Sequence, residues 1–365
     1  MKILYITNGI NGSGGLERVL GVKASYFVDK LGYEAHILSL NEPQPNPFYT
    51  FSDKIHFHSC EVKGNPLQYV FSYVKGIKNS VRAIKPDVIS VCDDGLKGFF
   101  IPLFLGNKVS IIYERHASVQ LNFSSHSTGF TTKAQHFLMQ QLGRTFDVFV
   151  VLTYGNLKEW KSKNLKVIPN PLSFYSSVSS TLKIKRVIVV GSHSYNKGYD
   201  LLLQAWKLVI QNRTDWTLHI FGKSDTQKTF LQLSEDLKLK DYVVFSEPVL
   251  DIQNEYLNSS IMVLPSRSEG FGMVLIEAMA CGLPCVAFDC PHGPADIIRH
   301  EEDGLLVKAE EVNALAMSII RLIQDEELRI KMGANARENV KRYLPENVLP
   351  QWDTLFKRLI AKKQE

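Results

Sequence analysis

The chain has 365 residues, 45% of them hydrophobic and 22% charged, with a formal net charge of +5 at pH 7. That length exceeds one ordinary core and suits two domains of about 150 to 200 residues each. The composition excludes a disordered or fibrous chain, and so mild a positive excess excludes a nucleic-acid binder while leaving room for anionic ligands or a membrane surface.

The amino-terminal MKILYITNG runs straight into a strand pattern with no charged lead and long apolar stretch, so no secretory signal is expected. No apolar run approaches the roughly 18 residues of a membrane span, which points to a cytoplasmic protein with at most peripheral membrane contact. From here, apolar runs of four to seven residues alternate with helical patterns, the signature of parallel sheets covered by helices. In the first half strands are expected at 2–7, 34–40, 55–59, 87–92, 109–113, 148–152 and 166–168. The first is followed by NGINGSGGLERVL, a glycine-rich loop entering a helix. Its glycines lack the fixed spacing of the dinucleotide fingerprint, yet Gly14 and Gly15 would let backbone amides come close to a ligand.

A helix over 67–84 carries Lys75, Lys78, Arg82 and Lys85 on one face behind Phe71, with Val70, Val74, Ile77, Val81 and Ile84 on the other. Such a face is either simply solvated or touches anionic lipid headgroups. Asp93 and Asp94 end one strand; they are adjacent rather than spaced, and no metal site is expected from them. His116 follows the strand VSIIYE, at the end where α/β sheets hold ligands. The segment Pro169 to Thr181, with two prolines and five serines, reads as the link between domains.

A second strand series follows at 186–190, 217–221, 243–246, 261–264, 285–288 and 305–307. In VIVVGSHSYNKGYDLLLQAW a strand leads through a loop ending at Lys197 and Gly198 into an amphipathic helix, a phosphate-site arrangement with Lys197 as its cation. The chain is organised around PSRSEGFGMVLIEAMACGLPC, residues 265 to 285. Gly270, Phe271 and Gly272 form a turn after a buried strand, and a helix begins near Gly272 with Met273 and Val274. Its first amides, unpartnered within the helix, suit a diphosphate or sugar hydroxyls. Glu269 before the turn and Glu277 inside the helix favour sugar hydroxyls, which donate to carboxylates. Glu277 lies in a helix apolar almost all round and so needs a partner. Cys60, Cys92, Cys281, Cys285 and Cys290 lack zinc-ligand spacing and read as buried thiols of a reducing compartment. Glu301, Glu302 and Asp303 are expected on a surface turn, and the carboxyl terminus is expected to be helical over 322–342, broken at Pro345, and helical again over 348–362.

Glu269 and Glu277 within SEGFGMVLIEAMACGLP, with the GPADII and EDGLLV segments downstream, resemble the retaining glycosyltransferases of the GT-B fold, family 4. The resemblance covers nearly the whole chain. It implies an α/β protein of two Rossmann-like, doubly wound domains facing a central cleft: an acceptor-binding domain over 1–170, a donor-binding domain over 182–344, and a final helix over 345–365 returning to the first domain. It implies transfer of a hexose or N-acetylhexosamine from a nucleotide diphosphate sugar, with uridine the expected base, to an acceptor hydroxyl. A lipid-linked glycan in bacterial surface polysaccharide or lipopolysaccharide assembly is the expected acceptor, at the inner face of the cell membrane, with no cofactor and no catalytic metal. By the same resemblance Glu277 holds the ribose, Glu269 with the amides of Phe271 and Gly272 the sugar, and Lys197 the diphosphate, while His116 in YERHAS orients the sugar or acceptor hydroxyl and the GG-x-E-R loop lies on the donor diphosphate or acceptor side.

The family usually has arginine where this chain has Ser192, and His193 beside it is a candidate substitute donor. A UDP-sugar 2-epimerase shares this architecture but needs no acceptor, and a catalytically silent binding protein is the other rival. The Glu269 to Glu277 pattern favours the transferase, and the presence of Lys197 and His116 beside both argues against silence.

Overall fold

The structure is a computed structural model that describes residues 1–118, 130–211 and 213–364, and every count below refers to these. They form two compact units, Met1–Ser173 with Pro345–Glu365, and Phe174–Leu344.

The first unit runs β1 (Lys2–Thr7), α1 (Gly15–Leu31), β2 (Glu34–Leu40), β3 (His56–Cys60), α2 (Pro66–Ile84), β4 (Val88–Cys92), α3 (Ile101–Leu105), β5 (Ser110–Glu114), α4 (Phe130–Gly143), β6 (Val148–Val151) and β7 (Leu165–Val167). The strands form one parallel sheet in the order β3-β2-β1-β4-β5-β6-β7. Both faces of β1 are buried, Ile3 and Tyr5 against α1 and Leu4 and Ile6 on the side of α2, which is why these strands read as unbroken apolar runs.

The second unit runs β8 (Arg186–Val190), α5 (Tyr199–Ile210), β9 (Thr217–Phe221), α6 (Thr229–Asp236), β10 (Val243–Ser246), α7 (Ile252–Leu257), β11 (Ile261–Leu264), α8 (Met273–Ala280), β12 (Cys285–Asp289), α9 (Pro294–Ile297), β13 (Gly304–Lys308), α10 (Val312–Gln324) and α11 (Glu326–Asn339). Its parallel sheet has the order β10-β9-β8-β11-β12-β13. The last helix, α12 (Pro345–Gln364), belongs to the first unit, where Phe356 meets Phe27 of α1 with ring centroids 5.4 Å apart.

In each sheet the winding reverses once, between β1 and β4 and between β8 and β11. The crevice outside the carboxyl ends of strands at such a reversal is where doubly wound sheets hold ligands. The loops after these four strands therefore define where to look.

Three local expectations are corrected. Residues 322–342 are not one helix: Asp325 adopts an extended conformation, ends α10 and caps α11 by accepting from the Leu328 amide at 2.9 Å. Pro345 opens α12 rather than breaking a helix, because proline needs no amide partner in a first turn. Asp303 is fully buried rather than on a surface turn; it accepts from the Arg299 amide at 2.8 Å and from Asn339, and burial raises its carboxyl above the usual range.

Candidate functional site

In the second unit the two loops at the reversal are stitched together. The Arg267 amide donates to the Asn196 carbonyl at 2.8 Å, and Asn196 Nδ2 donates to the Ser268 carbonyl at 2.8 Å. The Arg267 guanidinium lies over the Tyr195 ring and binds Asp200 through both terminal nitrogens, at 2.9 and 2.6 Å. Glycine is required where the loops touch. Gly198 sits in the left-handed region at φ 66, and a Cβ there would collide with the Pro265 carbonyl. Gly293, at φ 107, is packed in the same way against the Phe271 carbonyl.

This stitching brings Lys197 and Glu269 together, Nζ to Oε1 at 2.6 Å, with the carboxylate side chain only 9% exposed. Glu269 precedes the turn in which Gly272, at φ 101, opens α8. Gly270, Phe271 and Gly272 are buried, Phe271 edge-on against the Tyr343 ring, whereas Met273 and Val274 are half-buried at the helix start. The hydroxyls of Ser266 and Ser268 are buried beside this turn without a hydrogen-bond partner, a polar lining that a ligand's own donors and acceptors would satisfy. Glu277, the fifth residue of α8, is fully buried, one turn before Cys281. Ser192 is exposed on the β8 loop. His193 is not available to substitute for arginine: its ring is buried among Tyr199, Phe230 and Phe245, and burial lowers its affinity for a proton. Lys223 is the exposed cation of the neighbouring loop, its carbonyl accepting from the His193 amide at 2.9 Å.

In the first unit, Asn8 after β1 donates to Asp93 after β4 at 2.9 Å, bridging the reversal. Asp93 also accepts from the Gly95 amide at 2.8 Å, and Asp94 accepts from the His116 and Ala117 amides at 3.0 and 3.2 Å. The two aspartates thus hold the loops. His116 is nearly buried, with Nε2 at 3.3 Å from Glu114 Oε2 and a buried Nδ1 that has no partner among the described residues. Glu114 in turn accepts from Lys23 with both oxygens and from Ser90 Oγ. Lys23 is 1% exposed, under the Trp352 ring at 4.0 Å and near the Tyr5 ring at 5.1 Å. Burial alone would push the Glu114 carboxyl up; the Lys23 ammonium, with help from His116, outweighs burial and holds it well below the usual carboxylate range.

The glycine loop of this unit carries negative charge. Glu42 accepts from the Ile10 amide at 2.9 Å and the Asn11 amide at 3.3 Å, and Glu17 is tucked so close to Gly12 and Gly14 that a Cβ on either would strike its carboxylate. Burial raises the Glu17 carboxyl. Two carboxylates at Gly9 to Gly15 suit a hydroxylated ligand better than a phosphate. Lys23, Glu42, Asp94 and Glu114 were not legible as site residues, because each acts through a partner distant in sequence.

On α2 Lys75, Lys78 and Arg82 lie within the helix, whereas Lys85, expected on the same face, is its left-handed C-cap at φ 52; Leu67, Val70 and Phe71 are all exposed. The helix fully buries Tyr73, Ile77 and Ile84 and packs Tyr69, Val74 and Val81 partly against the core, leaving Val70 exposed. No helix among the described residues is long and apolar enough to cross a membrane. All five cysteines are buried and free, and burial raises the thiols of Cys281 and Cys290 to about 12.

Residues 177–339 match the model of the family described as glycosyl transferases group 1. An uncharacterized glycosyltransferase of Haemophilus influenzae is 28% identical over 96% of this chain and 98% of its own length. The amylovoran biosynthesis glycosyltransferase AmsD of Erwinia amylovora is 26% identical over 97% of this chain and 99% of its own. Among solved structures, Anabaena Alr3699/HepE in complex with UDP and glucose is similar with a TM-score of 0.78 at 19% identity, covering 98% of this chain and 99% of that one.

Proposed function

Since the chain is a group 1 glycosyltransferase of the GT-B fold, we propose that it transfers a hexose or N-acetylhexosamine from a UDP-sugar to an acceptor hydroxyl with retention of configuration. The acceptor is a lipid-linked glycan of bacterial surface polysaccharide assembly. The name of the Erwinia relative supports the polysaccharide setting, and the UDP and glucose in the Anabaena structure support the donor.

The observation that carries this reading is the Lys197–Glu269 pair beside the start of α8. A carboxylate next to a fixed ammonium offers one acceptor for sugar hydroxyls and one cation for the departing diphosphate. The free amides at Phe271, Gly272, Met273 and Val274 add donors, and Glu277 takes the ribose hydroxyls. Lys197 supplies the positive charge at the leaving group, so the reaction needs no metal ion. The acceptor oxygen attacks the anomeric carbon on the face from which the diphosphate leaves; the C–O bond to phosphate breaks, and a phosphate oxygen takes the acceptor's proton. His116 orients the acceptor through a hydroxyl beside the attacking one, and the loop of Gly14 and Gly15, with Glu17 and Glu42, binds further acceptor hydroxyls. The exposed Leu67, Val70 and Phe71 with the cations of α2 give contact with anionic lipid at the inner face of the membrane.

The test is calorimetric titration of the protein with UDP, GDP and ADP, then with sugar conjugates of whichever binds. Selective binding of UDP that is lost in Glu277→Ala supports the donor assignment. Binding of another nucleotide, or of none, removes the UDP-sugar reading.

A further inference from the structure

We propose that Lys23 is a positioning residue which, through Glu114, fixes the proton of His116 on Nε2 and so leaves Nδ1 as the lone pair that accepts from an acceptor hydroxyl beside the attacking one. The inference rests on the reading of His116 given above and names the device that sets it.

The geometry runs in one direction. Nε2 of His116 faces a carboxylate oxygen at 3.3 Å, and an ionised carboxylate only accepts, so the imidazole presents its N–H there. Nδ1 is then the acceptor atom, and it is the ring nitrogen left buried and unpartnered among the described residues. The arrangement fails if Glu114 takes up a proton, because the carboxylic acid could donate to Nε2 and reverse the tautomer. Desolvation pushes towards that outcome, since Glu114 is 1% exposed. What opposes it first is the ammonium of Lys23, bound to both oxygens of Glu114 and shut from solvent by the rings of Tyr5 and Trp352, with the His116 contact adding to it.

The cluster is expensive as a stability device. Burying an isolated ion pair is often no better than apolar packing of the same volume, and a leucine or methionine at position 23 would suit a helix face shared with Leu20, Ala24 and Phe27. Ser90 Oγ adds a third donor to the same carboxylate, from β4. Cys92 lies close enough that Cys92, Glu114 and His116 have ligand-type atoms within 4.8 Å of one another. With Lys23 on both carboxylate oxygens, however, that space already holds its cation. Two elements, α1 and β4, thus bring donors to one glutamate at the end of β5, whose other neighbours are His116 and Cys92.

The experiment uses the full chain labelled with ¹⁵N at histidine, with His116 assigned by comparison with His116→Ala. Two-bond ¹⁵N–¹H correlation at neutral pH reads which ring nitrogen carries the proton, independently of activity. The wild type is expected to show the Nε2–H form. Lys23→Met is expected to lose that preference, and its nucleotide release from the donor sugar, with acceptor glycan present, to fall about 10- to 100-fold at unchanged donor affinity. Because Lys23→Met leaves a carboxylate unpaired and risks unfolding, the deciding variant is Lys23→Met/Glu114→Leu, which removes both charges together. If the pair is only structural, this folded double variant keeps the wild-type tautomer and turnover, and the proposal is overturned. If Lys23 acts through Glu114, the thermal midpoint recovers while the tautomer and turnover do not. Unchanged turnover in His116→Ala would instead refute the acceptor role of His116, a failure distinct from any change in the tautomer result.

Discussion

Lys197 Nζ lies 2.6 Å from Glu269 Oε1, joining two loops whose partners are 72 residues apart in the chain. The pair has two duties, one atom for the leaving group and one for the sugar, and these separate by mutation. Lys197→Met and Glu269→Gln are each expected to lower kcat by about 10²–10³. The two losses are expected to be non-additive in the double variant, because each group orients the other. Steady-state kinetics on the folded variants decides; full turnover in Lys197→Met would remove the lysine from the chemistry.

Gly198 and Gly32 share φ 66, but only Gly198 faces a carbonyl where a side chain would go; Gly32 has nothing within 4 Å. Gly32→Ala is therefore expected to cost about 1 kcal/mol, the strain of the left-handed backbone. Gly198→Ala carries the same strain plus a collision with Pro265 and is expected to cost at least about 2 kcal/mol more. Urea unfolding of the two variants measures the difference, and equal costs would mean that the loops are not in close contact.

His219 on β9 is held neutral by burial first and by Arg186 second, so its folded pKa is lowered to about 4. Burial also lowers the values of His36, His58 and His193. For a base lowered on folding, the unfolded chain binds more protons between the two values. Stability is then fully present above the ordinary imidazole value of about 6.5 and is lost as pH falls from there towards 4. The thermal midpoint is expected to drop between pH 7 and pH 5, with a shallower slope in His219→Gln. A midpoint that rises on acidification would contradict the assignment.

Trp352 covers the Lys23 ammonium at 4.0 Å and is 2% exposed. Trp352→Ala removes a large buried ring and opens a charge to solvent, at an expected cost of about 3–5 kcal/mol to the first unit. Denaturant unfolding followed by fluorescence of the remaining tryptophans reads this; a loss below about 1 kcal/mol would show that α12 is not held by this contact.

The thiols of Cys281 and Cys290, raised to about 12 by burial, and those of Cys60, Cys92 and Cys285, also raised, are expected to resist iodoacetamide at neutral pH until the chain unfolds. Rapid labelling of the native protein, read by mass, would place at least one of them at the surface.

The strands were legible because parallel strands buried on both faces leave unbroken apolar runs. Arg186–Val190 and Ile261–Leu264 have the expected bounds, whereas the edge strand His56–Cys60, only partly buried, is shifted by one residue. Helix ends were less legible. The break at Asp325 carried an available signal, an aspartate followed by Glu326 and Glu327, yet 322–342 reads as continuous because no glycine or proline stands at the joint. Lys197 and Glu269 each announced a loop, but that the loops lie side by side depends on strand order. Lys23 was the least legible. It occupies a position on the apolar stripe of Leu20, Ala24 and Phe27, which is a signal, but its partner Glu114 is 91 residues away and nothing local connects them. Val70 misled in the opposite sense: periodicity assigns it to the buried side, while Tyr69 and Tyr73 make the core contacts there and Val70 is exposed.

The aromatic lid over Lys23 has a bearing on how the protein is made. Trp352 lies on α12, and the first unit is assembled from Met1–Ser173 and Pro345–Glu365, with all of Phe174–Leu344 between them in the chain. On the ribosome, the segment that ends at Ser173 emerges with its ammonium and carboxylate lacking their cover, and the intervening unit is synthesised before that cover arrives. The half of the enzyme translated first is thus completed only after the second unit has been made, and its charged interior stays exposed to chaperones, proteases and aggregation until α12 emerges.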